Sequence, residues 1–124
     1  MALISGTMLF WPSVMAAQSG GGLTPAAAVQ LINRERAVVI DVCEANEFAA
    51  GHVSGAKHIA LGTFADKLEG AVKNKALPLI LVCASGARAS KALGIAKGLG
   101  YENAKVLGGG LKSWREANLP VDKS

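Results

Sequence analysis

Cysteine, aromatic residues and early charge are all scarce in this 124-residue chain, and each scarcity removes a class of function. Its two cysteines, Cys43 and Cys83, cannot build a disulfide framework, and no cluster of cysteine and histidine offers four ligands at zinc spacing, so no metal is expected. Aromatic residues make up 5% of the chain, too few for a base-stacking surface, and nucleic acid is not an expected partner. Internal repeats and low-complexity tracts are absent, so one hydrophobic core must supply any site from its own loops.

No charged side chain precedes Arg34. The stretch 1–22 reads as an apolar tail that ends in the linker Ser19-Gly20-Gly21-Gly22. Its uninterrupted part is shorter than the roughly 17–25 apolar residues needed to cross a bilayer, and Pro12 would end a helix there. The expectation is the remnant of a membrane anchor with Phe10 and Trp11 at the interface. A signal peptide lacking its basic start and a loosely docked tail are the alternatives.

The net charge of +4 is unevenly placed. Residues 1–83 carry six basic and six acidic side chains, whereas residues 84–124 carry seven and three. The excess suits small anions arriving after Cys83; the competing reading is a solvated basic surface.

What is present from residue 23 onward alternates strand and helix. Thr24-Pro25 is an N-cap followed by proline at the first helical position, and Ala28, Leu31 and Ile32 recur at helical spacing up to about Arg36. Ala37–Val42 and Leu79–Val82 are short apolar runs of the kind that form strands buried on both faces. Between them fall a helix near Glu44–Ala50, a short strand at His58–Ala60 and a helix around Phe64–Val72. After Cys83 come a helix with Ala89, Ala92, Leu93, Ala96 and Leu99 on one face, a brief strand at Lys105–Leu107 and a last helix at Leu111–Ala117. This alternation predicts an α/β domain with a mostly parallel sheet, whose reactive loops lie at the carboxyl ends of strands.

Cys83 occupies such an end, and Ala84-Ser85-Gly86-Ala87 then leads into the helix that begins near Arg88. A short loop of small residues entering a helix can turn successive N–H groups inward, where they and the helix terminus favour an anion. If that anion is the sulfur of Cys83, the cysteine becomes a nucleophile and sulfur acceptor. The alternative is a buried structural thiol. Arg88 can add a fixed positive charge at the rim, with Lys91 one turn on, or it can simply pair with a nearby carboxylate.

Several separated motifs resemble those of the single-domain rhodaneses, a family of sulfurtransferases. Asp41-Val42-Cys43-Glu44, Glu47-Phe48, Gly51-His52-Val53-Ser54-Gly55-Ala56 and His58-Ile59 resemble the first signature, and Cys83-Ala84-Ser85-Gly86-Ala87-Arg88 the six-residue active loop. Gly100-Tyr101, Asn103-Ala104, Val106-Leu107, Gly109-Gly110-Leu111, Trp114 and Leu119-Pro120 resemble the C-terminal signature. The resemblance covers residues 23 to 121 and implies a three-layer domain, taken as 23–124, with a central five-stranded sheet. It implies that Cys83 carries a persulfide stabilised by the backbone amides of Ala84 through Arg88, with no cofactor. Small sulfur anions or persulfides would be its partners, a thiol protein its acceptor, and the domain would be a monomer. The apolar start is similar to that of bacterial rhodaneses tethered at the inner membrane, which implies a cytoplasmic domain, with the periplasm as the second choice.

One departure stands out: Cys43 replaces the arginine usual in the first signature, removing an ion pair with Glu44 or Glu47. Because the strands ending near Asp41 and Cys83 are neighbours in the family, Cys43 becomes a candidate resolving thiol, against a buried structural one. Asp41 is expected to support the site through hydrogen bonds, and His52 with Gly51 to hold a turn. Gly108–Gly110 reads as a turn and Trp114 as core packing. The competing functions are a sulfide-sensing or docking module with little turnover and a cysteine phosphatase or arsenate reductase. The latter uses a loop one residue longer than Cys83–Arg88. The loop also lacks the pattern associated with mercaptopyruvate.

Overall fold

A computed structural model describes residues 22–123, so the expectations for the N-terminal tail fall outside the described residues. Thr24 caps the first helix, α1 (Pro25–Glu35), by accepting the Ala27 N–H at 3.1 Å, and Arg36 ends it in the left-handed region. The chain continues through β1 (Val38–Asp41), α2 (Ala45–Ala50), β2 (His52–Val53), β3 (Lys57–His58), a 3-10 turn at Leu61–Thr63 and α3 (Phe64–Ala71). It then runs through β4 (Leu79–Val82), α4 (Ala87–Gly98), β5 (Ala104–Val106), α5 (Gly110–Glu116) and β6 (Val121–Asp122).

The main sheet is parallel, in the order β3-β1-β4-β5, with Asp41 opposite Val82 in the central pair. Side chains alternate between its faces as strand geometry requires. Ile40, Leu79 and Leu81 pack on one side with α3 and α4 residues such as Phe64, Leu68, Ala89 and Ala92. Val39, Ile80 and Val82 pack on the other side with Ala28 of α1 and Trp114 of α5. Helix, sheet and helix therefore form three layers, which is why both β1 and β4 are apolar on successive residues.

The sheet has four strands where five were expected. Leu23 makes only an isolated parallel bridge to Leu107, with its N–H on the Val106 carbonyl at 2.7 Å and its own carbonyl accepting from Gly108 at 2.8 Å. A fifth strand cannot extend forward because Thr24 is already the cap of α1 and Pro25 lacks an N–H. A second feature escaped the sequence reading: β2 and β6 form an antiparallel ribbon that ties the C-terminal segment back to the domain. The strand expected at His58–Ala60 lies at Lys57–His58, although the Ile59 and Leu61 amides continue bonding to the Asp41 and Val42 carbonyls.

β1 is followed by β3 on one side of the sheet, and β4 by β5 on the other. The carboxyl ends of β1 and β4 are thus the topological switch point, the place where such sheets bind ligands. Among the described residues no helix is long and apolar enough to cross a membrane.

Candidate active site

Cys83 directly follows β4 at this switch point and is 1% exposed. The chain then turns through exposed Ala84 and Ser85 to Gly86, whose φ of 114° is open to glycine far more readily than to other residues. Gly86 is the N-cap of α4 and has no side chain with which to accept the free amides of the first turn. The Cys83 sulfur takes that role. Its Sγ accepts the Gly86 N–H at 2.9 Å and the Ala89 N–H, at the third helical position, at 3.4 Å. This is the bonding pattern of an N-cap side chain, made here by a sulfur atom that also receives the positive end of the helix dipole. The expectation covered the amides from Ala84 to Arg88; those bonding to the sulfur are Gly86, within that range, and Ala89, just beyond it.

A second helix start holds the loop from behind. Leu111 donates its N–H to the Cys83 carbonyl at 2.8 Å and Lys112 donates to the Ala84 carbonyl at 3.4 Å. These bonds tie two carbonyls of the loop to α5, while the amides of Gly86 and Ala89 bond to the sulfur. Close approach is possible because residue 110 is glycine: a Cβ there would overlap the Cys83 carbonyl oxygen and stand 2.8 Å from the Ala84 carbonyl group. Gly110 is therefore part of the site, although the run Gly108–Gly110 reads in sequence only as a turn.

Arg88 does not project free charge into the loop. Its Nη1 and Nη2 donate to Glu47 Oε1 and Oε2 at 2.7 and 3.0 Å, a bidentate pair across α2 and α4. Glu47 Oε1 also accepts the Glu44 N–H at 3.0 Å, which caps α2. Arg88 and this amide hold the Glu47 carboxyl down at about 2, and Glu47 in turn holds the guanidinium above its ordinary value. Of the two roles open to Arg88, pairing with a carboxylate is the one the geometry displays. Glu47 thus has its cation from the loop that follows Cys83.

Asp41 is 2% exposed and accepts the Cys43 N–H at 2.8 Å, so it braces the turn after β1. The Cys43 carbonyl accepts from His58 Nε2 at 2.8 Å. Burial, reinforced by the charge of Asp41 and its hydrogen bond, pushes the Cys43 thiol up to about 12. Such a thiol carries almost no thiolate at neutral pH and is a poor attacking group. His52 lies in β2, where a turn is expected from the sequence, with its Nδ1 bonded to the Phe48 carbonyl at 2.8 Å and its ring stacked on Phe48. An apolar groove of about 300 Å³ lined by Val29, Ile32, Trp114 and Leu119 includes none of the active-loop residues.

Comparisons with known proteins agree with this architecture. The rhodanese-like domain family matches residues 24–117. Over 100 residues the chain is 36% identical to thiosulfate sulfurtransferase GlpE of Pseudomonas putida (strain GB-1), covering 81% of this chain and 88% of that one. It is 30% identical to YibN of Escherichia coli (strain K12), covering 80% of this chain and 70% of that one. The crystal structure of a rhodanese-related protein from Thermoplasma volcanium superposes with a TM-score of 0.72 at 23% identity, covering 84% of this chain and 99% of that one. With the family matched over most of its length and a cysteine-bearing loop at the switch point of its sheet, the chain belongs to the rhodanese-like domain family.

Proposed function

We propose that this protein is a sulfurtransferase that moves a sulfane sulfur from thiosulfate or a small persulfide to a thiophilic acceptor through a persulfide on Cys83. The observation that carries the reading is the placement of Sγ as the acceptor of two amides at the start of α4. The relatives named thiosulfate sulfurtransferase support the same reaction.

In the first step the Cys83 thiolate attacks the outer sulfur of the donor. A Cys83 S–S bond forms as the donor's own S–S bond breaks, and the electron pair leaves on sulfite or on a thiolate. The amides of Gly86 and Ala89 serve as preorganised donors to the negative sulfur, and small Ala84 and Ala87 leave room for one more atom. In the second step cyanide, or a cellular thiol, attacks the outer sulfur and Cys83 departs as thiolate. No electrons are gained or lost overall, so the cycle calls for no redox cofactor.

Intact-protein mass spectrometry after incubation with thiosulfate or glutathione persulfide tests the scheme. The expected result is a gain of one sulfur atom that is absent in Cys83→Ser and is removed by cyanide with formation of thiocyanate. No gain with either donor would replace this reading with a docking or sensing module. A phosphatase reading needs an arginine turned to the phosphate dianion, and the Nη1 and Nη2 groups of Arg88 are turned to Glu47. Hydrolysis of p-nitrophenyl phosphate lost in Cys83→Ser would restore it.

A further inference from the structure

We propose that Glu47 is a positioning residue that sets donor preference: by neutralising Arg88 it turns the site away from dianionic thiosulfate and toward persulfides that release a thiol. This rests on the sulfurtransferase reading and narrows its donor class.

The argument begins with the charges around the loop. Arg88 is the one cationic side chain of the Cys83–Arg88 segment, and the field of its guanidinium reaches both Cys43 and Cys83. A free arginine at that place would draw a dianion to the loop and hold the sulfite that thiosulfate releases. Here the Nη1–Nη2 edge of the guanidinium is filled by the Glu47 carboxylate, which also balances its charge. That carboxylate is not a loose surface group. Glu47 is held in turn by the Glu44 amide at the start of α2, so releasing Arg88 means breaking a helix cap contact or swinging the arginine off two bonds. With the pair intact, the attraction aimed at the sulfur itself comes from the amides at Sγ and is short-ranged.

Such a site discriminates by where the donor carries its charge. Thiosulfate places its anionic oxygens one bond from the sulfur that is attacked, beside an arginine whose charge Glu47 already balances. A persulfide R–S–SH carries no such oxygens. The Cys83 thiolate attacks its outer sulfur, the inner S–S bond breaks and R–S⁻ leaves with the electron pair. The exposed small residues Ala84, Ser85 and Ala87 set no charge against the R group. His58 is turned to Phe48 and the Cys43 carbonyl, and Asp41 is bonded to Cys43.

The test measures Cys83 sulfur loading by rapid-quench mass spectrometry against concentration of two donors, thiosulfate and hydroxyethyl persulfide, whose only ionisable group is the persulfide. In Glu47→Gln the amide oxygen can still accept from Glu44, so α2 keeps its cap while the charge of Arg88 is no longer balanced. The half-saturating concentration of thiosulfate, relative to that of the persulfide, is expected to fall about fivefold, as for one partly exposed charged contact, with the change in half-saturation and not in the limiting rate. Adding Arg88→Ala to Glu47→Gln should return the ratio to its starting value, Glu47→Asp should retain it, and high salt should erase the gain. Glu47→Ala frees the same arginine and stands in where Glu47→Gln fails to fold. An unchanged ratio, a change confined to the limiting rate, or a gain that survives Arg88→Ala overturns the role of Glu47 while leaving sulfur transfer intact. Failure of both donors to load wild-type Cys83 overturns sulfur transfer itself, and the donor preference with it.

Discussion

Replacing Gly110 with alanine tests whether the active loop is shaped from behind. Residue 110 has φ +60°, where a side chain costs about 1 kcal/mol or more. The added methyl would also overlap the Cys83 carbonyl oxygen and crowd the Ala84 carbonyl, so the start of α5 must retreat from the loop. Retreat breaks the bonds from Leu111 to Cys83 and from Lys112 to Ala84, each worth about 1 kcal/mol. The sum is about 3 kcal/mol, which for a domain of this size lowers the unfolding temperature by roughly 10–20 °C. The released carbonyls can rotate toward Sγ, and the loss of an aligned amide donor should slow sulfur loading by about tenfold to a hundredfold. Circular dichroism melting gives the first quantity, and rapid-quench mass spectrometry well below the melting temperature gives the second. Gly94→Ala in α4 is the control, since a Cβ there meets nothing within 4 Å and should stabilise the helix by about 0.5–1 kcal/mol. Gly110→Ala that melts and loads like the wild type would refute the bracing of the loop. One that melts early but loads at full rate while folded would refute its catalytic consequence.

Three further outcomes follow from the same geometry. The folded-state thiol of Cys43 is raised to about 12, so ionisation favours the unfolded chain as pH climbs above about 8.5; stability falls with pH, and urea denaturation should show about 2 kcal/mol lost between pH 7 and pH 10 that Cys43→Ser does not lose. The Glu47 carboxyl is lowered to about 2, so its contribution is present above the unfolded value near 4.3 and disappears as pH falls toward 2; acid titration of stability should lose that component in Glu47→Gln. Because the Cys83 sulfur caps α4, Cys83→Ala should melt below Cys83→Ser by about 1 kcal/mol, and equal melting temperatures would show that the cap contact contributes nothing.

Elements that declare themselves through local chemistry were legible in the sequence. The β-branched runs around Val39 and Ile80 form the central parallel pair, and Thr24-Pro25 starts α1 as its cap chemistry demands. The position of Cys83 between a buried strand and a glycine-bearing helix start was readable for the same reason. What escaped depends on partners distant in the chain. Glu47 and Arg88 are 41 residues apart, and nothing near either names the other. Gly110 gains its role only where α5 meets the Cys83 loop, and β2 pairs with β6 over two residues each, too short for any periodic signal. The missing fifth strand is a contest between an extended edge and a strong helix cap at adjacent residues, which the cap wins.

The two helix starts at the switch point divide one task. α4 directs its free amides at the Cys83 sulfur, while α5 binds the carbonyls of the same loop and so removes the dipoles that would oppose negative charge there. Either alone would be weaker: amides without carbonyl control leave a mixed field, and turned carbonyls without a helix start supply no donors. The sulfur of a cysteine that is 1% exposed can carry negative charge only if such donors replace the water it has lost. The Glu47–Arg88 pair stands outside this arrangement and adds almost no net charge to it. The donors to the Cys83 sulfur are thereby backbone groups, which tolerate change at Ala84, Ser85 and Ala87, while the charge balance beside the loop rests on one side-chain pair that substitution can retune.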